Sequence, residues 1–182
     1  MYVDTTALIT SQSLLNGSTL SITGQNLPTD LKDVRLGSVG CGPVTGTDTE
    51  ITCMLTQGAA AGSYDKVEVV SADGLVPVDA GVAPITVALS ITEVYPSDNL
   101  NQFGGDELTI KGTGLPTSID QVDVTFSDNT KCTVISTSDS ELKCITDGFD
   151  ASTIDTATPY SLSVTVNSVT DSTNTVQLSS ET

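Results

Sequence analysis

Four cysteines, Cys41, Cys53, Cys132 and Cys144, fall into two pairs with eleven residues inside each pair. Structural zinc sites pair their cysteines two to four residues apart, so this spacing points to disulfides and no metal or other cofactor is expected. Each pair encloses a strand-like stretch, a polar turn and a second strand-like stretch: Cys132-Thr133-Val134-Ile135, then residues 136–140, then Glu141-Leu142-Lys143-Cys144. Antiparallel neighbours can bring such sulfurs within bonding distance, and a bridge of this kind contributes about 2–4 kcal/mol. The chain contains no histidine. That removes Ser-His-Asp and Cys-His catalysis and the common histidine zinc sites.

The other reactive groups are carboxylates. Asp147, Asp150 and Asp155 form one cluster, and Asp98, Asp106 and Glu107 another. Such sets can hydrolyse glycosides or hold calcium, but a small β domain offers no deep cleft and no Asp-x-Asp-x-Asp-Gly run is present. A solvated acidic surface and a non-enzymatic protein are expected. Asn16-Gly17-Ser18 is the sole N-glycosylation sequon, and Asn-Gly is equally a hairpin turn. Ser161, Ser163, Thr165, Thr170, Ser172, Thr173 and Thr175 are expected to be ordinary sheet-surface hydroxyls, with O-linked sugars as the alternative.

The composition narrows the partners. Aspartate and glutamate number 23 against six basic residues (Lys32, Arg35, Lys66, Lys111, Lys131 and Lys143), for a net charge of −17. A polyanion cannot neutralise phosphates, so nucleic acid and anionic membrane surfaces are poor partners, and neither nucleic-acid binding nor membrane insertion is expected. Only 4% of the 182 residues are aromatic and none is tryptophan, which predicts thin cores that need staples. Disulfides persist outside the cytosol, so an extracellular or cell-surface location is expected. No apolar run is long enough to span a membrane, and no signal sequence opens the chain, so a secreted form would be mature or truncated.

The elements that must position these groups are strands. Candidates lie at residues 8–10, 19–23, 34–36, 66–70, 85–89, 107–110, 122–126, 160–166 and 175–178, and helical periodicity is nearly absent. Asn16-Gly17, Asp73-Gly74, Gly104-Gly105 and Asp147-Gly148 supply turns between them. In residues 160–167, alternation places Tyr160, Leu162, Val164 and Val166 on one face and hydroxyls on the other.

The chain is written twice. Ile22-Thr23-Gly24-Gln25-Asn26-Leu27-Pro28-Thr29 returns as Ile110-Lys111-Gly112-Thr113-Gly114-Leu115-Pro116-Thr117, an offset of 88, and the cysteines return at an offset of 91. About three residues are therefore inserted between the Leu-Pro turn and the first cysteine of the second copy. Residues 84–96 contain no Gly-Ser spacer, which predicts that one domain runs directly into the next as a semi-rigid, elongated rod.

The second copy resembles the IPT/TIG family of immunoglobulin-like domains. The resemblance rests on Ile91-Thr92-Glu93-Val94-Tyr95-Pro96, Gly104 to Leu115, Val122-Asp123-Val124-Thr125-Phe126, and Cys132 through Cys144. The first copy is similar but degenerate, keeping Leu20 to Gly24 and the cysteines without the Pro and Gly-Gly opening. The resemblance implies an all-β chain of two tandem immunoglobulin-like β-sandwiches, residues 1–89 and 90–182. Family members occur in plexins, receptor ectodomains, large surface proteins and Rel-type transcription factors, and the charge argues against the last.

Two functions follow as expectations. One is a rod-like spacer, or the repeating subunit of a cell-surface filament or adhesin, self-associating or meeting neighbouring domains of the same kind through strand edges. The other is a receptor-ectodomain fragment that binds a protein or glycan through loops such as residues 147–158. Tyr95, Phe103 and Phe149 are its candidate aromatic anchors.

Overall fold

A computed structural model of the chain describes residues 6–150 and 154–179. These divide into two compact units, Met1–Ala59 with Ser63–Val87, and Ala60–Gly62 with Ala88–Thr182. Among the described residues the only helical element is a single 3-10 turn, Ile119–Gln121. All else that is regular is strand.

Along the first 87 residues run β1 (Leu8–Leu15), β2 (Thr19–Gln25), β3 (Leu31–Leu36), β4 (Val39–Gly40), β5 (Thr45–Gly46) and β6 (Glu50–Met54), followed by β7 (Gly62–Tyr64), β8 (Glu68–Ser71), β9 (Gly74–Leu75) and β10 (Ile85–Val87). One sheet has the order β1-β2-β6-β5, a second β4-β3-β8-β9, and β10 pairs with β7. Period-two side chains explain the sandwich: Ile9, Leu20, Ile22 and Ile51 of one sheet and Val34, Leu36 and Val69 of the other share a single core.

The second unit repeats the plan with β11 (Ser90–Tyr95), β12 (Glu107–Thr113), β13 (Val122–Phe126), β14 (Cys132–Thr137), β15 (Glu141–Thr146), β16 (Tyr160–Val166) and β17 (Val169–Val176). The sheets are β11-β12-β15-β14 and β13-β16-β17. Leu108, Ile110, Leu142 and Cys144 face Val124, Phe126, Leu162, Val164 and Val166 in its core. The alternation read in residues 160–166 is realised: Tyr160, Leu162, Val164 and Val166 are buried, and Ser161, Ser163 and Thr165 lie half-exposed between them.

The repeat extends to backbone detail. In both units the first strand slips register, between Ile9 and Ser11 and between Ile91 and Glu93. Opposite each slip sits a glycine, Gly24 or Gly112, where an added Cβ would lie 2.3 Å from the carbonyl oxygen of Leu8 or Ser90. Two of the extra residues of the second copy precede β13, where the 3-10 turn lies. The third lies between β13 and Cys132, since buried Val34 and Leu36 align with Val124 and Phe126 at an offset of 90.

Several boundaries differ from the sequence expectation. The final strand of the second unit is Val169–Val176 rather than 175–178, because its polar residues 170–175 pair across to β16 and need no core face. The strand expected at 85–89 stops at Val87, and that expected at 66–70 begins at Glu68. Ser71 pairs with Gly74, so the turn centres on Ala72-Asp73 rather than Asp73-Gly74. Gly74 takes its positive φ, 121°, within β9 instead.

Candidate functional site

The cysteines form two bridges, Cys41–Cys53 with Cα atoms 5.6 Å apart and Cys132–Cys144 with Cα atoms 5.4 Å apart. In neither case do the cysteines face each other directly. Cys41 pairs with Leu55 and Cys132 with Thr146, two residues beyond the bonded partner, so each bridge runs diagonally across adjacent backbones. Cys53, Cys132 and Cys144 are buried among apolar neighbours, and no free cysteine is present among the described residues.

Asn16 lies between β1 and β2, exposed, with φ 51°, and Gly17 follows with φ 70°. Both adopt the left-handed conformation that an Asn-Gly hairpin turn demands. The expected acidic clusters separate into local pairs. Glu107 meets the Lys143 ammonium at 3.0 Å, and Asp106 accepts the Asn101 N–H. Asp147 accepts the Thr133 hydroxyl at 3.3 Å. Asp155 accepts N–H bonds from Ala157 and Thr158, and hydrogen bonding to Thr158 first, then to the Ala157 amide, holds its carboxyl below the ordinary range. No group of three or more His, Cys, Asp or Glu able to hold a metal ion occurs among the described residues.

Some hydroxyls of the second unit's row are engaged, across the sheet or within their own strand. Thr165 and Thr170 share a 2.9 Å hydrogen bond, Ser161 stands opposite Thr175, and Thr173 donates to Asp171 at 2.7 Å. The loop expected at 147–158 includes residues 151–153, which lie outside the described residues.

The aromatic anchors divide. Phe149 is 6% exposed and packs against Phe126 and Tyr160, ring centroids 5.0 and 5.2 Å away, so it is core and not a surface anchor. Its place beside an Asp-Gly turn made it look like loop; the chain simply turns inward there. Tyr95 and Phe103 are 69% and 74% exposed. Phe103 rides on a braced turn. Its N–H donates to Asn101 Oδ1 at 2.9 Å, the Gly104 N–H to the Asn101 carbonyl at 2.9 Å, and the Gly105 N–H to the Thr146 carbonyl at 2.8 Å. The Phe149 N–H closes the loop onto the Gln102 carbonyl at 2.9 Å. Gly104, φ 78°, sits so close to the Asp147-Gly148 backbone that an added Cβ would lie 2.5 Å from it.

Two polar clasps escaped the sequence reading. Gln12 is only 9% exposed; its amide donates to the Asp65 and Ala83 carbonyls at 2.9 and 3.0 Å and accepts the Val67 N–H at 2.9 Å. It occupies the position of Val94 in the second unit, since Gln12 opposes Ile22 as Val94 opposes Ile110. At Ile91 the second unit uses side chains: Asp171 accepts the Ile91 N–H at 2.8 Å, and Asn174 donates to its carbonyl at 3.2 Å. The equivalent groups of Ile9 bond instead to the backbone of Pro77 and Asp79. Burial would raise the Asp171 carboxyl, but bonds from the Ile91 amide and from Thr173 outweigh it and leave it below the ordinary range.

A hollow of about 590 Å³ at one end of the first unit is bordered by Asn26, Asp30, Asp48, Asp73, Leu75 and other residues. It is open to solvent, and Asp30, Asp48 and Asp73 stand on its border. No helix among the described residues is long and apolar enough to cross a membrane.

The IPT/TIG domain family matches residues 5–82 and 89–180. No curated protein matches. Among solved structures, two of the plexin A4 full extracellular region are similar at 19% identity. One covers 96% of this chain and 16% of its own with a TM-score of 0.45, the other 95% and 18% with a TM-score of 0.43. The fibronectin(III)-like modules of Clostridium thermocellum CbhA match at 16% identity over 97% of this chain and 92% of theirs, TM-score 0.26. The chain thus spans less than a fifth of the plexin chains.

Proposed function

The chain belongs to the IPT/TIG domain family, matched in both of its halves, and from that premise we propose a non-enzymatic extracellular or cell-surface module that serves as a rod-like spacer or as the repeating subunit of a surface filament or adhesin. The observation that carries this is the use made of the four cysteines. Each pair is spent within one sandwich, an arrangement that persists in oxidising surroundings and stabilises small domains with thin cores. The sheet edges offer strand addition or head-to-tail contact with domains of the same kind. Negative-stain electron microscopy of native material, with light scattering of the purified chain, tests it. Regular fibres support the filament version; monomers alone at high concentration overturn it, leaving the spacer.

A second reading, a ligand-binding fragment of a receptor ectodomain, is favoured by the exposure of Phe103 on its braced turn. Binding screens against surface proteins and a glycan array test that reading, and silence in both counts against it. Asn16 carries an N-glycan in this proposal, provided the chain passes through a eukaryotic secretory pathway; loss of a mass shift in Asn16→Gln from such a host is the expected result.

A further inference from the structure

Four of the eight large apolar side chains exposed among the described residues, Tyr95, Phe103, Ile135 and Ile145, belong to the sheet β11-β12-β15-β14 or to the loop joining β11 to β12. Tyr95 stands opposite Thr109 at the end of β11, and Ile145 lies between Glu107 and Thr133 in the neighbouring row. Phe103 is carried on the adjoining loop, whose backbone is hydrogen-bonded to Thr146 and Phe149 just beyond Ile145. An exposed phenylalanine on a backbone already held in place loses little further freedom on binding, the property of an interface anchor.

Around this patch each lysine is matched by a carboxylate, and further carboxylates are left over. All three lysines of the second unit are already engaged: Lys111 with Glu93 at 3.0 Å, Lys131 with Asp123 at 3.6 Å, and Lys143 with Glu107 at 3.0 Å. No described lysine or arginine pairs with the exposed Asp98 or Asp147, which lie in the loop before Phe103 and beside Gly104. We propose that this end of the second domain is a docking surface for a basic protein segment, with Phe103 entering an apolar notch and lysines or arginines of the partner meeting the surrounding carboxylates. A second copy of this surface would bring the same carboxylates and is disfavoured by like-charge repulsion. The inference deepens the ligand-binding reading.

The test is NMR titration of the full chain with a synthetic peptide of alternating lysine and leucine at 0.15 M salt. Analogues with glutamate or serine in place of lysine serve as further probes. Amide shifts should gather at residues 95–106 and 145–149, and Phe103→Ala should weaken the lysine peptide about tenfold, whereas Leu75→Ala, an exposed apolar side chain of the first domain, should not. Shifts spread over the whole acidic surface, or indifference to Phe103→Ala, would overturn the site. Equal binding of the serine peptide at Phe103 would overturn the basic partner while sparing the ligand-binding reading, and no binding by any probe would overturn the inference.

Discussion

Replacing Gln12 by valine, the residue that its counterpart Val94 already is, should destabilise the first domain although it makes that strand more hydrophobic. The substitution orphans three backbone groups, the Asp65 and Ala83 carbonyls and the Val67 N–H, in a region where Gln12 is 9% exposed. A buried polar group stripped of its partner costs about 1–3 kcal/mol, so the three together set a ceiling of about 3–9 kcal/mol. Burying a valine side chain returns about 1.5–2 kcal/mol, and water reaching the partly open site lowers the upper end further, leaving a net loss of about 1–5 kcal/mol. Global melting of two domains blends their stabilities, so native-state hydrogen exchange is the assay. Amides of Ile22, Val34 and Ile51 should lose protection while those of Ile110, Val124 and Leu142 keep theirs. A variant within about 0.5 kcal/mol of the parent would refute the reasoning, because three buried hydrogen bonds would then have contributed nothing net.

Replacing Cys132 and Cys144 by alanine should cost the second domain about 3 kcal/mol, the chain-entropy value for a loop closed over twelve residues, and the Cys41/Cys53 double variant about the same in the first, measured by urea denaturation. Gly112→Ala should destabilise by about 2–4 kcal/mol, since its Cβ must displace the Ser90 carbonyl, and Gly24→Ala should do likewise against Leu8. Asp171 has a lowered folded pKa, so its contribution is present above the unfolded carboxylate value and lost as pH falls through the folded one. Asp171→Asn should therefore be less stable than the parent at pH 7 and indistinguishable from it once the parent's carboxyl is protonated. Equal deficits at both pH values would remove the charge from the explanation.

Composition and local pattern were enough to determine the fold class, because sandwich strands announce themselves through period-two alternation and turn chemistry, and a repeat announces itself through spacing. Residues 122–126 and 160–166 appear as strands at the limits their alternation predicts, and the family match follows the same stretches. The Asn16-Gly17 turn was legible too, because its positive φ angles are a demand of the local chain. Tertiary structure alone decided which polar and aromatic residues are inside. Gln12 reads as surface in any local window and becomes core because residues 65, 67 and 83, distant in sequence, converge on it. Phe149 and Phe103 flank similar glycine turns, yet one closes the core against Phe126 and Tyr160 while the other stands in solvent. Burial is a property of what folds over a residue, and long-range pairing settles that where side-chain type and neighbours in the chain do not.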